Sequence, residues 1–187
     1  MKEEKMKAAG KKPEHMTSLS GSRMVPKTHG RIKFRGCIDS LEADLIEAQV
    51  LASDLNESDI LAKLGEVLDY IRSLMRAEVG ETPLAPPVLF GMGADEIHRR
   101  SHDAGGRILR LPSYTQGALA VRLNTLRTKV REAELLAVEV FGPGELPPEA
   151  GLRELSPETS PREDIVLALN RLSSAFWFLY CNHTDKT

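Results

Sequence analysis

The strongest constraint on this chain is the spacing of its apolar residues. Phe34, Ile38, Leu41, Leu45 and Ala48 recur at intervals of three or four. That period places them on one face of a helix and predicts a helix from Arg31 to near Leu55. Asn56-Glu57-Ser58 follows as a break with capping residues. Ile60, Leu64, Val67, Ile71 and Leu74 mark a second helix, and Leu61, Leu68 and Met75 widen its stripe as a bundle helix requires. Leu119, Leu123, Leu126, Val130, Ala133 and Ala137 predict a third long helix from Thr115 to Phe141. Ser160-Pro161, with Glu163 and Asp164 behind it, starts a last helix that runs to about Tyr180. That helix ends in Ala-Phe-Trp-Phe-Leu-Tyr, so it is covered on several sides, by the core or by another subunit. Asp95 can cap a short helix through His102. No stretch alternates convincingly as a strand. The fold class is all-α, an up-and-down helical bundle of about five helices.

The breaks divide the chain into a tail and one domain. Residues 1–14 are Lys/Glu-rich without an apolar period and read as a mobile N-terminal tail. Residues 15–187 form the bundle domain, which opens with a Ser/Thr/Gly/Pro loop over 15–30. Residues 80–93 hold three prolines within five positions, which excludes a helix. Residues 103–114 read as loop, with Gly105-Gly106 and Pro112. Residues 142–162 contain five prolines and three glycines and form a long surface connection.

Composition removes several functions. A net charge of −2 gives no bulk attraction to nucleic acid or to an anionic membrane. Aromatic residues at 5% are too few for a base-stacking platform. No apolar run approaches the ~18 residues of a membrane span. The basic N-terminus lacks the apolar stretch of a secretory signal. Cys37 and Cys181 are too few for a disulfide framework or a zinc ribbon. The expectation is a cytoplasmic protein with no nucleic-acid and no membrane partner.

The residues that can carry chemistry are polar residues in helical stripes. Asp39 sits between Ile38 and Leu41. Arg127 and Arg131 are four apart on one helix face, with Glu134 three further on. Asn170-Arg171 interrupts the apolar last helix. Two guanidinium forks on one face suit a polyphosphate. The loop Thr17-Ser-Leu-Ser-Gly21-Ser-Arg-Met-Val-Pro-Lys27 offers hydroxyls, a glycine for close backbone approach and a lysine charge. It is not a P-loop. His98 and His102 have metal-ligand spacing but need a third ligand, and His29, Asp95 and Asp103 are the nearest candidates. No Ser/His/Asp set and no carboxylate pair for acid–base work stand out.

Taken in order, five segments resemble a known family. They are T-x-L-x-G-x-R-x-x-x-K from Thr17, R-I-x-x-x-G-x-I-D-S-L from Arg31, L-P-x-x-T from Leu111, R-x-x-x-R-x-A-E from Arg127 and L-N-R-L-S from Leu169. Together they are similar to the ATP:cob(I)alamin adenosyltransferases of the PduO type. The stretches LMRAEVGETPL, GADEIHRRSH, LNTLRTKVREAELLAVEVF and DIVLALNRLSS point to the ethanolamine-utilization (EutT) branch. The likeness covers about Met16 to Tyr180.

The resemblance implies a five-helix bundle, usually a homotrimer, with active sites between subunits. It implies transfer of the 5′-deoxyadenosyl group of ATP to cob(I)alamin, releasing triphosphate, to make adenosylcobalamin for ethanolamine ammonia-lyase. The alternative is a non-catalytic cobalamin carrier on the same fold; a third reading is a structural bundle that binds neither ligand. By motif, Thr17, Ser18, Gly21 and Lys27 would wrap the triphosphate. Arg127 and Arg131 would contact phosphates or ribose, and Asn170 the nucleotide. Asp39 would pair with Arg127 across the subunit interface. Glu134 would help hold Mg²⁺, brought by ATP, or the phosphates. The family's corrin-facing aromatic aligns near Leu109, with Phe90 or Tyr114 as substitutes.

The resemblance further implies a flavoprotein reductase and an adenosylcobalamin-dependent lyase as partners, and a cytoplasmic or microcompartment setting. Cobalt(I) is itself the nucleophile, so no protein nucleophile is needed. The protein positions the reactants, neutralises the leaving triphosphate and shields the lower corrin face from water.

Departures from the family pattern are also legible. Lys12-Pro-Glu-His-Met16 stands where the family has TGDxG, and Arg131-Glu-Ala-Glu-Leu135 lacks two arginines of the usual segment. The Cys/His cluster found upstream in enteric members is not among these residues. A metal-independent enzyme, a shortened chain and a degenerate paralogue all fit that reading.

Overall fold

A computed structural model describes residues 12–107, 111–142 and 162–185. Among them are five helices: α1 (Gly30–Asp54), α2 (Ser58–Val79), α3 (Ala94–Arg107), α4 (Ala118–Phe141) and α5 (Glu163–Thr184). The apolar stripes fix their packing. Phe34, Ile38, Leu41, Leu45 and Ala48 of α1, and Leu123, Leu126, Val130 and Ala133 of α4, lie in one continuous core. Leu64, Ile71 and Leu74 of α2 and Ala168, Leu172, Ala175 and Phe176 of α5 complete it.

Helix α1 packs between α2 and α4, and α5 packs between α4 and α3. Cross-helix pairs give the directions. Arg31 reaches Glu78, Arg122 reaches Glu47 and Asn170 reaches Glu134, so successive neighbours run antiparallel. The arrangement is the expected up-and-down bundle, with α3 laid against α5.

Helix ends are set locally. Asn56, at φ 58°, turns the chain between α1 and α2; asparagine tolerates this left-handed region better than most side chains. Gly117, at φ 89°, stops helical continuity before α4. The predicted start at Thr115 therefore becomes a 3₁₀ turn, Tyr114–Gln116, with a Ser113/Gln116 capping box. The chain over 103–107 was expected as loop and is the last turn of α3. Two helical glycines cost about 1 kcal/mol each. Burial of Ile97, Ser101 and Ala104 on one face outweighs that penalty. The last helix extends past Tyr180 to Thr184, while Ser160-Pro161 and the 143–161 connection lie outside the described residues.

Two small hairpins correct the expectation of no strands. β1 (Met16–Ser20) pairs antiparallel with β2 (Arg23–Pro26), where the sequence reading placed a loop. The two-residue link Gly21-Ser22 is a hairpin signal, and Gly21 takes the left-handed φ of 52° that favours glycine. β3 (Val88–Leu89) and β4 (Met92–Gly93) form a second, minimal hairpin. No helix of the described residues is long and apolar enough to cross a membrane.

Candidate active site

Of the polar residues predicted on separate helices, those of α4 and α5 share the outer face of that helix pair, and Asp39 of α1 does not join them. Helix α5 places Asn170, Ser173, Ser174 and Trp177 on that side because the intervening Leu169, Leu172, Ala175 and Phe176 are buried. Asn170 Nδ2 donates to Glu134 Oε1 at 2.9 Å, so the two predicted residues form one unit. Asn170 Oδ1 accepts from Arg171 Nη1 at 2.5 Å. Arg171 also approaches Asp95 at 4.0 Å, and its Nε is buried without a partner among the described residues.

Arg127 and Arg131 stand one turn apart on α4. The Arg127 guanidinium lies 5.1 Å from the centroid of Trp177, within cation–π range. Its Nε donates to the neutral Asn124 Oδ1 at 3.1 Å. Burial, then the charge of Arg131, lowers the Arg127 pKa. Among the described residues neither arginine has a carboxylate partner. Two cations held together without an anion form a site that gains by taking one.

Below these residues runs a groove of about 370 Å³ between α4 and α5, lined by Glu134, Val138, Val166, Leu167 and Asn170 among others. Val138 in its wall is 48% exposed, and Leu135 on the same helix 70%.

The loop residues fall on the β1–β2 hairpin. Thr17 is half-buried in β1, and Ser18 Oγ donates to the Gly21 carbonyl at 2.8 Å. Lys27 is exposed just past β2, its N–H bonded to the His15 carbonyl at 2.8 Å. The four are strung along the hairpin: Ser18 and Gly21 lie at the turn, whereas Lys27 lies past the open end beside His15, with Thr17 between. The structure does not bring them to Arg127 within one chain: the hairpin sits by the start of α1. Asp39 is exposed on α1 and likewise does not meet Arg127 in this chain.

The aromatic candidates divide. Leu109 lies outside the described residues. Phe90 occupies a left-handed φ of 57° at the tip of the β3–β4 hairpin. Its N–H donates to Glu66 Oε2 at 2.6 Å. Its ring stacks on Phe178 with centroids 6.3 Å apart. Tyr114 is 87% exposed and Leu111 86%. The aromatic end of α5, expected to be covered on several sides by the core or by another subunit, is partly covered within the chain: Phe90 stacks on Phe178 and Arg127 lies over Trp177.

His98 and His102 pack edge to face at 4.6 Å. Among the described residues no group of three metal-ligating side chains forms around them. Burial pushes the Cys181 thiol up to about 11 and raises that of Cys37. Neither is a thiolate nucleophile at neutral pH.

Comparison with known proteins covers both halves of this surface. The family profile described as cobalamin adenosyltransferase matches residues 8–182, from before the hairpin to the end of α5. The chain belongs to the cobalamin adenosyltransferase family. It is 34% identical over 175 residues to the corrinoid adenosyltransferase EutT of Salmonella typhimurium. It is 33% identical to the protein of that name from Escherichia coli K12. Each alignment covers 90% of this chain and 58% of the relative, so the chain spans little more than half their length. No solved structure matches the chain.

Sequence reasoning missed two parts of this family member's surface. Trp177 was read only as part of an apolar stripe, although its spacing of seven from Asn170 puts both on one helix face. The buried cluster of Arg31, Arg35 and Glu78 left no short motif, because its members are 43 and 47 residues apart in sequence.

Proposed function

We propose that this chain transfers the 5′-deoxyadenosyl group of ATP to cob(I)alamin and releases triphosphate. One observation carries the reading: Arg127 and Arg131 share a face of α4 with no carboxylate partner among the described residues, beside the Glu134–Asn170 pair. That is the charge pattern a departing triphosphate needs. The electron pair of cobalt(I) forms the Co–C5′ bond, the C5′–O bond breaks, and the triphosphate oxygen keeps the bonding pair. Cobalt becomes formally Co(III). The protein supplies no nucleophile; it fixes the in-line approach and stabilises the leaving charge.

In this reading Thr17, Ser18, Gly21 and Lys27 grip the phosphates from the hairpin. Arg127, stiffened by Trp177, and Arg131 meet the triphosphate, and Asn170 contacts the nucleotide. Glu134 keeps one carboxylate oxygen beyond its bond to Asn170. One carboxylate with substrate phosphates is a fitting environment for Mg²⁺ carried by ATP. Mg²⁺ would there neutralise phosphate charge. Phe90 or Tyr114 supplies the apolar surface toward the corrin in place of the family aromatic that aligns near Leu109.

The hairpin and Arg127 sit apart in one chain, so the site is completed between subunits. A homotrimer, with Asp39 of one subunit paired to Arg127 of the next, satisfies this. The exposed Leu135 and Val138 support such contact. A cytoplasmic setting, in or out of a microcompartment, a flavoprotein reductase and a lyase that uses the product complete the proposal.

The test mixes protein, ATP, Mg²⁺ and chemically reduced cob(I)alamin and follows the visible spectrum. Cobalt–carbon product with stoichiometric triphosphate is the expected result. Corrinoid binding without product would make the chain a carrier. Light scattering at micromolar concentration is expected to give a trimer; a monomer would overturn the shared site.

A further inference from the structure

We infer that Glu78 is a positioning residue for the β1–β2 hairpin, acting through Arg35, and so sets how tightly that hairpin holds nucleotide phosphate. The inference rests on the proposed function for its nucleotide step. Glu78 is a carboxylate with no exposed surface near the end of α2. Its Oε1 accepts from Arg31 Nε and its Oε2 from Arg35 Nε, both at 2.5 Å. Arg31 is braced further by the Glu78 carbonyl at 2.8 Å and by Glu81 at 2.5 Å. Arg35 has a second arm, with Nη1 donating to the Leu19 carbonyl at 2.8 Å.

Leu19 is where this matters. It is the residue skipped by the strand register between Ser18 and Ser20. Its neighbours Ser18 and Gly21 are two of the phosphate candidates. Leu19 and Val25 are buried, yet neither belongs to the continuous core of the bundle. The hairpin therefore lacks the deep apolar anchoring of the helices, and a buried carboxylate–guanidinium chain reaches its irregular point. Buried ion pairs contribute little net stability, and fixing one geometry is their better-attested use. Arg35 is suited to this because its rigid guanidinium fork holds two separated donors, Nε toward the carboxylate and Nη1 toward the carbonyl, where a lysine would offer a single point charge.

The test uses Arg35→Lys, which keeps a cation against Glu78 and removes the second arm, with Glu78→Gln as its companion. Amide hydrogen exchange is read over residues 16–26 and over α4 and α5 in the ATP-free protein. The KM for ATP and that for corrinoid are read separately. In Arg35→Lys, hairpin amides should exchange about tenfold faster, the scale of one lost hydrogen bond, with α4 and α5 unchanged. The ATP KM should rise about tenfold while kcat and the corrinoid KM stay within about twofold. Glu78→Gln should shift the same two readouts in the same direction. If Glu78→Gln does not fold, Arg35→Lys alone decides. Hairpin exchange unchanged in Arg35→Lys overturns the inference and leaves the proposed function standing. Faster exchange with an unchanged ATP KM overturns the nucleotide step, and with it the placing of ATP on the hairpin.

Discussion

The α4–α5 face and the β1–β2 hairpin are both candidate phosphate sites, and they are built in opposite ways. Arg127 stands on a helix whose other face is sunk in the core through Leu123, Leu126 and Val130, each with no exposed surface. Its position is a consequence of bundle packing. Ser18 stands on a ladder of four residue pairs and Gly21 in its turn, and the hairpin's two buried side chains lie outside that core. Their position depends on polar links. Helical periodicity supplies rigidity in the first region, and a few hydrogen bonds supply it in the second. A ligand that touches both would meet one fixed wall and one adjustable one.

The comparison breaks most sharply in unfolding. Phe176 is wholly buried in the shared core, and Phe176→Ala should cost roughly 3–5 kcal/mol. Leu19 is 2% exposed, yet Leu19→Ala should cost about 2 kcal/mol, the low end for a buried leucine, since a hairpin outside the core can settle into the space. Urea unfolding of both variants checks this. Equal losses would place the hairpin in the same cooperative unit as the helices.

The next effect is on turnover. Arg127→Ala should lower it at least ~10-fold, as expected for removing one charged contact to a transition state. Arg131→Ala should lower it less, because Arg131 is exposed and, among the described residues, has no aromatic ring beneath it. Steady-state kinetics under reducing conditions separates the two. Wild-type turnover in Arg127→Ala would remove the α4 face from the site.

The same contrast explains what could be read from the sequence. The four long helices were legible because each stripe is local: Leu119 through Ala137 announce α4 with no knowledge of the partner. Arg127, Arg131 and Glu134 were legible for that reason, since spacing alone puts them on one face. The turn at Gly21-Ser22 was available but outweighed by polar composition. The helical state of Gly105-Gly106 was not, because packing of Ile97 and Ala104 decides it. The Glu78 cluster and the Phe90–Phe178 stack are long-range contacts with no periodic signature. The proposed pairing of Asp39 with Arg127 would lie between chains, where one chain cannot display it.

The smallest effect concerns a polar joint on the helical side. Asp164, in the first turn of α5, accepts from the Leu84 N–H at 2.8 Å and from Arg162 Nε at 2.9 Å. It ties α5 to the segment after α2, as Arg35 ties the hairpin to α1, but Asp164 is one-quarter exposed where Glu78 is sealed. Partial burial raises its pKa, and the bonds from Arg162 and Leu84 outweigh that, so the carboxyl ends below its ordinary 3.8. A depressed folded-state pKa means that the ionised form is the one folding favours. Its stabilisation is full above the unfolded value near 4 and fades as pH falls through the folded value. Asp164→Asn should therefore cost about 1 kcal/mol near neutral pH, the net worth of a charge-assisted bond open to solvent. The wild-type and variant unfolding midpoints should converge as pH falls through the depressed folded-state value, below which the native side chain is itself neutral. A gap that persists into acid would mean that Asp164 acts through shape and not through charge, and the helical region would then owe its order to packing throughout.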